Sequence, residues 1–413
     1  MVDVAEPDEL STVTGPGSEP EQPRALQAYR ARTTRANRIY SAVLVGIVVL
    51  AFGAVKLAYA HGELTKVSFG TAAAPAPVPE QNTSRNLTQA WHSTDRPALG
   101  EPFADGIVVT SDAHSVHGRD AVTGAIRWYY TRSDQTICSV LQQDSTTIAI
   151  YRRGDNCDEV TGFVTATGVA KWFRTLTENG SYATASTSNV VLAVTDHSVH
   201  EFDNAGGLDR WNWATPDGCT AVRALAGSLG ALISLDCGAT HRLVLRDLFS
   251  DSEKWTVATP AAMVPVAASS FVGALDPATG ALHSYTAAKG VDSTTGRLPG
   301  AGPAARELPR AATSVTVVNA AGQSVEVSWI GKLFAFSAKG SVNWSAAASS
   351  QPWPVANSLI AVADGPATVV QYRLDTGARQ LISTLTPSAA VDQRPYPVGA
   401  GLLMAGNQVS MFR

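Results

Sequence analysis

The sequence predicts an all-β chain: a β-propeller of eight blades, with seven as the alternative, preceded by one transmembrane α-helix and a disordered N-terminal tail. Three observations predict it. A Gly/Trp skeleton recurs at near-constant spacing, β-branched runs precede each copy, and one long apolar stretch stands near the N-terminus.

The repeat shows first in a duplicated tetrapeptide. HSVHGRDAVTGAIRWYY, beginning at His114, aligns with HSVHEFDNAGGLDRWNW, beginning at His197, an offset of 83 residues. Both keep an Asp, then a Gly, then a Trp four residues after the Gly: Gly124 with Trp128, and Gly207 with Trp211. Gly168 with Trp172 and Gly340 with Trp344 repeat the skeleton, and weaker copies end at Trp255, near Leu298 and near Leu381. Successive ends lie about 37 to 46 residues apart, a period that signals a propeller or similar array.

Each period has the same order. A short apolar run such as GIVVTS, NVVLAVT or GLLMAG comes first, then a polar turn, an alternating stretch such as SVHEFD or KLFAFS, a Gly turn and the Trp strand. Glycine supplies the positive φ of a tight hairpin. Four short antiparallel strands make one blade, and the blades' apolar faces stack in a ring. The chain stops at GLLMAGNQVSMFR with no Trp strand, whereas NLTQAWHST at 86–94 carries Trp91 with no inner strands before it. Pairing these two ends would close the ring and protect the edges of an open sheet. The unit around 260–310 is weakly marked, which keeps seven blades open.

A chain of 413 residues with 45% hydrophobic content and 16% charge can bury a large core, and its net charge of −4 offers no basic footprint for nucleic acid. Residues 39–60, IYSAVLVGIVVLAFGAVKLAYA, give about 22 apolar residues, enough to cross roughly 30 Å of hydrocarbon. Arg24, Arg30, Arg32, Arg35 and Arg38 crowd the upstream flank, so the positive-inside rule puts the N-terminus in the cytoplasm and the bulk outside the cell membrane. A cleaved signal peptide is the rival, because Ala58-Tyr59-Ala60 has the small-x-small form of a cleavage site. The domain reading is a disordered cytoplasmic tail over 1–38, a transmembrane helix over 39–60, a Pro/Ala-rich linker over 61–85 and a propeller over 86–413.

HSVHGRDAVTGAIRWYY and FVGALDPATGALHSY resemble the PQQ-like (quinoprotein-type) propeller repeat, whose blades carry an Asp-x-x-Thr-Gly turn before a Trp that docks between neighbouring blades. The resemblance covers about 86–413 and implies fold more than function. The family includes quinone-cofactor dehydrogenases as well as non-enzymatic scaffolds such as the outer-membrane assembly lipoprotein of Gram-negative bacteria. Those dehydrogenases use an adjacent Cys-Cys pair, and no two cysteines are neighbours here.

Candidate sites are few. Side chains three apart on a strand point to opposite faces, so His114 with His117, and His197 with His200, make poor chelating pairs. Cys138 with Cys157 and Cys219 with Cys237 are spaced alike, each running from the outset of a blade to the turn after its second strand, and read as two local disulfides in an oxidising compartment. Asp155, Asp158 and Glu159 form a dense acidic loop, a weak candidate for Ca²⁺ without the EF-hand spacing. Trp91, Trp128, Trp172, Trp211, Trp255 and Trp344 fall on the repeat and read as core. Trp213, Trp329 and Trp353 fall off it and are the candidates for a contact surface. No G-x-S-x-G elbow, H-E-x-x-H pair or P-loop is present.

The sequence therefore predicts a single-pass membrane protein whose extracytoplasmic propeller is a protein-binding scaffold in a bacterial cell-envelope process. It is not read as an enzyme, and no cofactor is implied. The alternatives are a quinone-dependent dehydrogenase, a carbohydrate-active propeller enzyme, or an envelope ligand sensor.

Overall fold

The computed structural model describes residues 40, 43–47 and 66–413, apart from 76, 80, 177–182, 188–189, 300, 302–305, 307–310, 314, 319–323, 356, 364, 366 and 390–392. Contacts divide the chain into two units, Met1–Thr65 and Lys66–Arg413. In the first, residue 40 and residues 43–47 are helical. The remainder of the apolar segment, and the tail before it, lie outside the described residues. Among the described residues no helix is long and apolar enough to cross a membrane.

The second unit is a β-propeller, and its local pattern follows from burial. The runs Ile107–Ser111, Val190–Val194 and Gly401–Ala405 are buried at every position. A strand buried on both faces needs apolar neighbours above and below, so each sheet must be sandwiched between two others. Outer strands such as Asp209–Ala214 are exposed except at the buried Trp211 and the half-buried Trp213.

The strands fall into antiparallel groups in chain order. The first is Arg96–Pro97 with Phe103–Ala104, then Ile107–Ser111, Ser115–Asp120 and Ile126–Arg132. The second is Thr136–Gln143, Thr146–Arg153, Asn156–Val164 and Ala170–Thr175. The third is Ala183–Thr187, Val190–Val194, Ser198–Asp203 and Asp209–Ala214, and the fourth is Thr220–Gly227, Gly230–Asp236, His241–Arg246 and Glu253–Thr259. The fifth is Val264–Ala268, Val272–Leu275, Ala281–Tyr285 and Asp292–Arg297. The sixth is Val315–Val318, Ser324–Trp329, Leu333–Phe336 and Val342–Ala346. Ala311–Thr313 pairs in parallel with Ala224, Leu225 and Ala226 of the fourth group, and one eight-stranded sheet holds the last two groups. Its seventh group is Trp353–Val355, Ser358–Val362, Thr368–Arg373 and Arg379–Thr386, and its last is Arg394–Val398, Gly401–Ala405 and Val409–Phe412.

Asn86–Ser93 joins those two halves. Asn86, Leu87 and Thr88 pair in parallel with Thr384, Leu385 and Thr386, and Gln89 to Ser93 pair antiparallel with Val409–Phe412. The Trp91 strand thus supplies the outermost strand that the C-terminal group lacks, as its sequence position suggested. The buried side chains trace the same closure. Each core cluster draws on two successive groups, and one of them joins the last group, through Leu403, Val409 and Met411, to Val108 and Ala121 of the first. Among the described residues, each group thus packs against a neighbour on both sides.

The seam between groups is set by one contact. The Trp128 indole N–H donates to the Thr165 carbonyl at 2.7 Å, and a Cβ on Gly168 would stand 2.6 Å from the same ring. Trp91 docks likewise on Gly124, Trp172 on Gly207, Trp255 on Gly290 and Trp344 on Gly377. All five glycines have positive φ, between 62° and 75°. The glycine is required twice over, by the left-handed turn and by the ring lying against it.

Two features differ from the sequence expectation. The weak copy around 260–310 is shifted: Asp276 to Gly280 turn between the second and third strands, and Gly296 lies inside the fourth strand, so no docking turn ends near Leu298. The docking turn of this group is the one ending at Gly290. Phe271, between the first two strands, takes the place of the absent Trp and lies against Gly340 of the sixth group. The Pro/Ala stretch expected as a linker is laid along the propeller. Val67–Gly70 pair antiparallel with the outer edge of the first group, the Ala72 N–H donates to the Thr167 carbonyl, and the Ser84 N–H donates to the Ala400 carbonyl.

Removing an interlocking ring forfeits both its burial and the fit of its neighbour. Trp128→Ala is expected to cost roughly 3–5 kcal/mol in denaturant unfolding. Gly168→Ala, which keeps the Trp but adds a Cβ at positive φ, is expected to cost about 2 kcal/mol.

Candidate functional site

Strands alternate in direction, so the two ends of every group lie on different faces of the ring. The turn between second and third strands and the link to the next group share one side, here the linking face. The other hairpins, which carry the docking glycines, share the opposite side. The cysteines, the acidic loop and the off-repeat tryptophans gather on the linking face, away from the contacts that close the ring.

Both disulfides are formed there. Cys138 lies where the first strand of the second group bulges, between the pairs Ile150↔Ser139 and Tyr151↔Ile137. It reaches across the second strand to Cys157. Cys219 and Cys237 hold the matching ends in the fourth group. A loop of this length closed in the unfolded chain contributes about 3 kcal/mol in the chain-entropy account.

The acidic loop is crossed by arginines. Arg153 pairs with Asp158 at 3.1 Å and with Glu159 at 3.4 Å, and Arg132 reaches Glu159 at 3.0 Å while also holding Asp134. Asp155 stands in the turn itself and is exposed. Among the described residues no three His, Cys, Asp or Glu side chains are grouped to hold a metal ion.

The two HSVH copies occupy equivalent strands but differ in surroundings. His117 faces Asp95 at 3.1 Å, and Arg119 donates to the same carboxylate oxygen at 2.6 Å. Burial opposes the charged form of Asp95, and the hydrogen bonds from Arg119 and His117 outweigh it, holding the carboxyl below its usual range. His114 instead bonds the Gln135 carbonyl at 2.6 Å from an exposed turn. His197 is exposed and His200 buried, so neither pair converges.

Between the first and second groups the linking face opens into a cleft of about 560 Å³, lined by Thr94 to Pro97, Leu99, Ser111 to Ala113 and Thr136 to Val140. Asp95 forms part of one wall and Cys138 part of the other.

The off-repeat tryptophans are all half-buried and lie at the linking-face ends of their strands. Trp213 packs on the seam between the third and fourth groups beneath the Arg246 guanidinium, 4.8 Å from its ring centre. Trp329 donates to the Ala348 carbonyl at 3.0 Å. Trp353 stacks on Tyr396 with centroids 4.6 Å apart, and Arg394 covers it at 5.1 Å. Each therefore stays half-exposed while serving a seam.

Three residues carry more than their sequence context showed. Arg246 lies over Trp211 at 5.4 Å, where other seams have a turn glycine, and pairs with Asp251. Glu326 is fully buried and accepts the amide N–H groups of Ala268 and Ser270 at 3.0 and 2.9 Å, tying the sixth group to the fifth. Glu201 is fully buried opposite Trp211, at the position that is Gly118 or Gly162 in the first two groups. The Trp211 indole is the nearest donor to its oxygens, and Arg210 stands 4.0 Å away. Burial pushes its carboxyl up to about 8, with Arg210 pulling the other way.

The folded state therefore keeps a proton on Glu201 that the unfolded chain loses above the ordinary carboxyl value of 4.5. Stability falls as pH rises from that value and levels above about 8. Glu201→Gln is expected to leave Tm unchanged at pH 4 and to raise it by roughly 2 °C or more at pH 8, read by thermal melts.

No protein-family profile matches the chain, and no curated protein matches it. Solved structures do. BamB from Moraxella catarrhalis is 17% identical with a TM-score of 0.49, over 79% of this chain and 99% of that one. The computationally designed Ika8 protein is 13% identical with a TM-score of 0.53, over 80% and 99%. The C-terminal WD40 domain of Sif2 is 9% identical with a TM-score of 0.46, over 83% and 99%. These neighbours are propellers. At such identities the likeness concerns the fold alone, and the Ika8 structure agrees with the strand groups of Lys66–Arg413 on a β-propeller.

Proposed function

We propose that this chain is a protein-binding scaffold of the bacterial cell envelope, an eight-bladed PQQ-like propeller held outside the membrane by one helix over 39–60. The reading rests chiefly on one observation: two disulfides and an arginine-bridged acidic loop brace the linking face, while the ring is closed from the opposite face. Loops stiffened in this way present a preformed surface whose residues vary without disturbing the core. Disulfides also favour an oxidising compartment.

The blade count follows from treating each strand group as one blade, the last completed by the Trp91 strand. The PQQ-like assignment is supported by the turn glycine and the Trp that docks on it in the next blade. Anchorage is supported by the length of the apolar segment and by the arginines before it. A protein partner in the envelope is favoured over a small substrate because no His, Cys, Asp or Glu cluster fit for a metal is found among the described residues and the linking face carries the braced loops.

The test is affinity capture of the full-length chain from membranes after cross-linking, paired with turnover assays on alcohols and sugars with added quinone. The scaffold reading expects a defined envelope protein in the captured complex and no turnover. A chain that comes down alone and oxidises or hydrolyses substrate contradicts it.

A further inference from the structure

We propose that Glu201 and Arg210 form a proton-operated latch on the seam between the third and fourth groups. With a proton on Glu201, Arg210 covers the ring of Phe249 at a hairpin tip. When the proton leaves, Arg210 closes on the carboxylate and draws off that ring. The latch needs no partner and stands apart from the scaffold reading.

The fold does not ask for a carboxyl at this position. Glu201 faces Trp211 across the outer pair of strands, and opposite the outer tryptophans of other groups stand Gly118, Gly162, Leu245, Ala335 and Met411. Each of those is apolar or lacks a side chain, as a position buried between two sheets requires. Glu201 alone among them titrates, and it is fully buried. A carboxyl in such a place stays neutral until a cation meets it. Burial pushes Glu201 up to about 8, with Arg210 and the Trp211 indole acting the other way.

Arg210 is placed to be that cation. It is the extra residue of a bulge, between the pairs Glu201↔Trp211 and Phe202↔Asp209, and a bulge re-aims the side chain it carries. Its Nε lies 4.0 Å from the Glu201 carboxyl, about 1 Å beyond hydrogen-bond reach. Its guanidinium lies 5.1 Å from the centre of the Phe249 ring, a cation–π distance. Phe249 is 64% exposed in the hairpin between the third and fourth strands of the fourth group, so Arg210 is its cover. An ionised carboxylate holds a guanidinium more strongly than a phenyl face does. Loss of one proton therefore changes which partner holds Arg210.

The other charged groups around the carboxyl leave this exchange to Arg210. Val190–Val194, paired with the far side of the Glu201 strand, has no titratable side chain. On that strand itself His200 points to the opposite face, and Asp203 accepts the Gly206 and Leu208 N–H groups at 2.6 and 2.8 Å. Asp209, beside Arg210, is exposed. Across the seam Arg246 pairs with Asp251 while covering Trp211. Asp247 accepts the Phe249 and Ser250 N–H groups at 2.8 and 3.0 Å and pairs with Lys254 at 3.1 Å. Burial opposes the charge of Asp247, and these bonds outweigh it, holding its carboxyl below the usual range. The backbone of the hairpin thus keeps its tie while Arg210 moves.

The test places 4-fluorophenylalanine at position 249 of the full-length chain in detergent and follows its fluorine resonance from about pH 6 to about pH 9.5. The expected result is a single titration with its midpoint near 8, with about a tenth of the full shift reached one pH unit below it. In Glu201→Gln the resonance should hold its low-pH position throughout. In Arg210→Gln, a change at an exposed position, the shift should be lost because no guanidinium covers the ring at either end of the range. Thermal melts at about pH 6 confirm that both variants fold. A wild-type resonance that does not move overturns the latch, and so does a titration that survives in either variant.

Discussion

The propeller depends on one repeated contact, an aromatic ring pressed against the backbone of a turn in the next strand group. Its geometry leaves no room for a side chain at the turn, which is why a Cβ on Gly207 would fall 2.4 Å from the Trp172 ring. The contact does two things at once. It buries the Trp of the outer strands that carry one, and it fixes how far the next group rotates, because ring and turn meet at one depth. Repeated around the unit, it converts separate four-stranded sheets, each marginal alone, into a closed stack.

Closure then separates stability from variation. The docking turns occupy one face, so the links and turns of the other are free of that duty. That freedom shows in how differently equivalent positions are used: Cys138 and Cys219 enter disulfides, Arg394 covers Trp353 and Tyr396, and Asp95 gathers Arg119 and His117. The seams tolerate exchange of parts where the physics is kept. Arg246 replaces a turn glycine by offering its guanidinium to Trp211, and Phe271 replaces a tryptophan from a different turn. Glu201 is the exception, a carboxyl placed where glycine would seat the ring, and its proton is the consequence.

Much of this architecture was legible because it is periodic. Gly and Trp at fixed separation marked most seams, and the half-repeats at the two ends announced the pairing of Trp91 with the C-terminal strand. The fifth group misled because Asp-x-x-Thr-Gly chemistry serves any tight turn, so DPATG at 276–280 resembled a docking turn while joining other strands. Phe271 carried no periodic mark. The cleft could not be read at all, since Leu99 and Gly100 are two residues pairing outside their own sheet and only tertiary packing decides where they go. The same holds for Val67–Gly70, whose Pro/Ala-rich surroundings looked like a spacer.

Ring closure through the N-terminal strand is the central claim, and truncation tests it most directly. Urea unfolding of a chain beginning at Lys66 should be cooperative, and one beginning at Asp95 should lose that cooperativity. Adding the peptide 86–94 in trans should restore it in part. A chain beginning at Asp95 that unfolds at the same urea midpoint as the longer one would show that the ring stands without this strand, and would contradict the account.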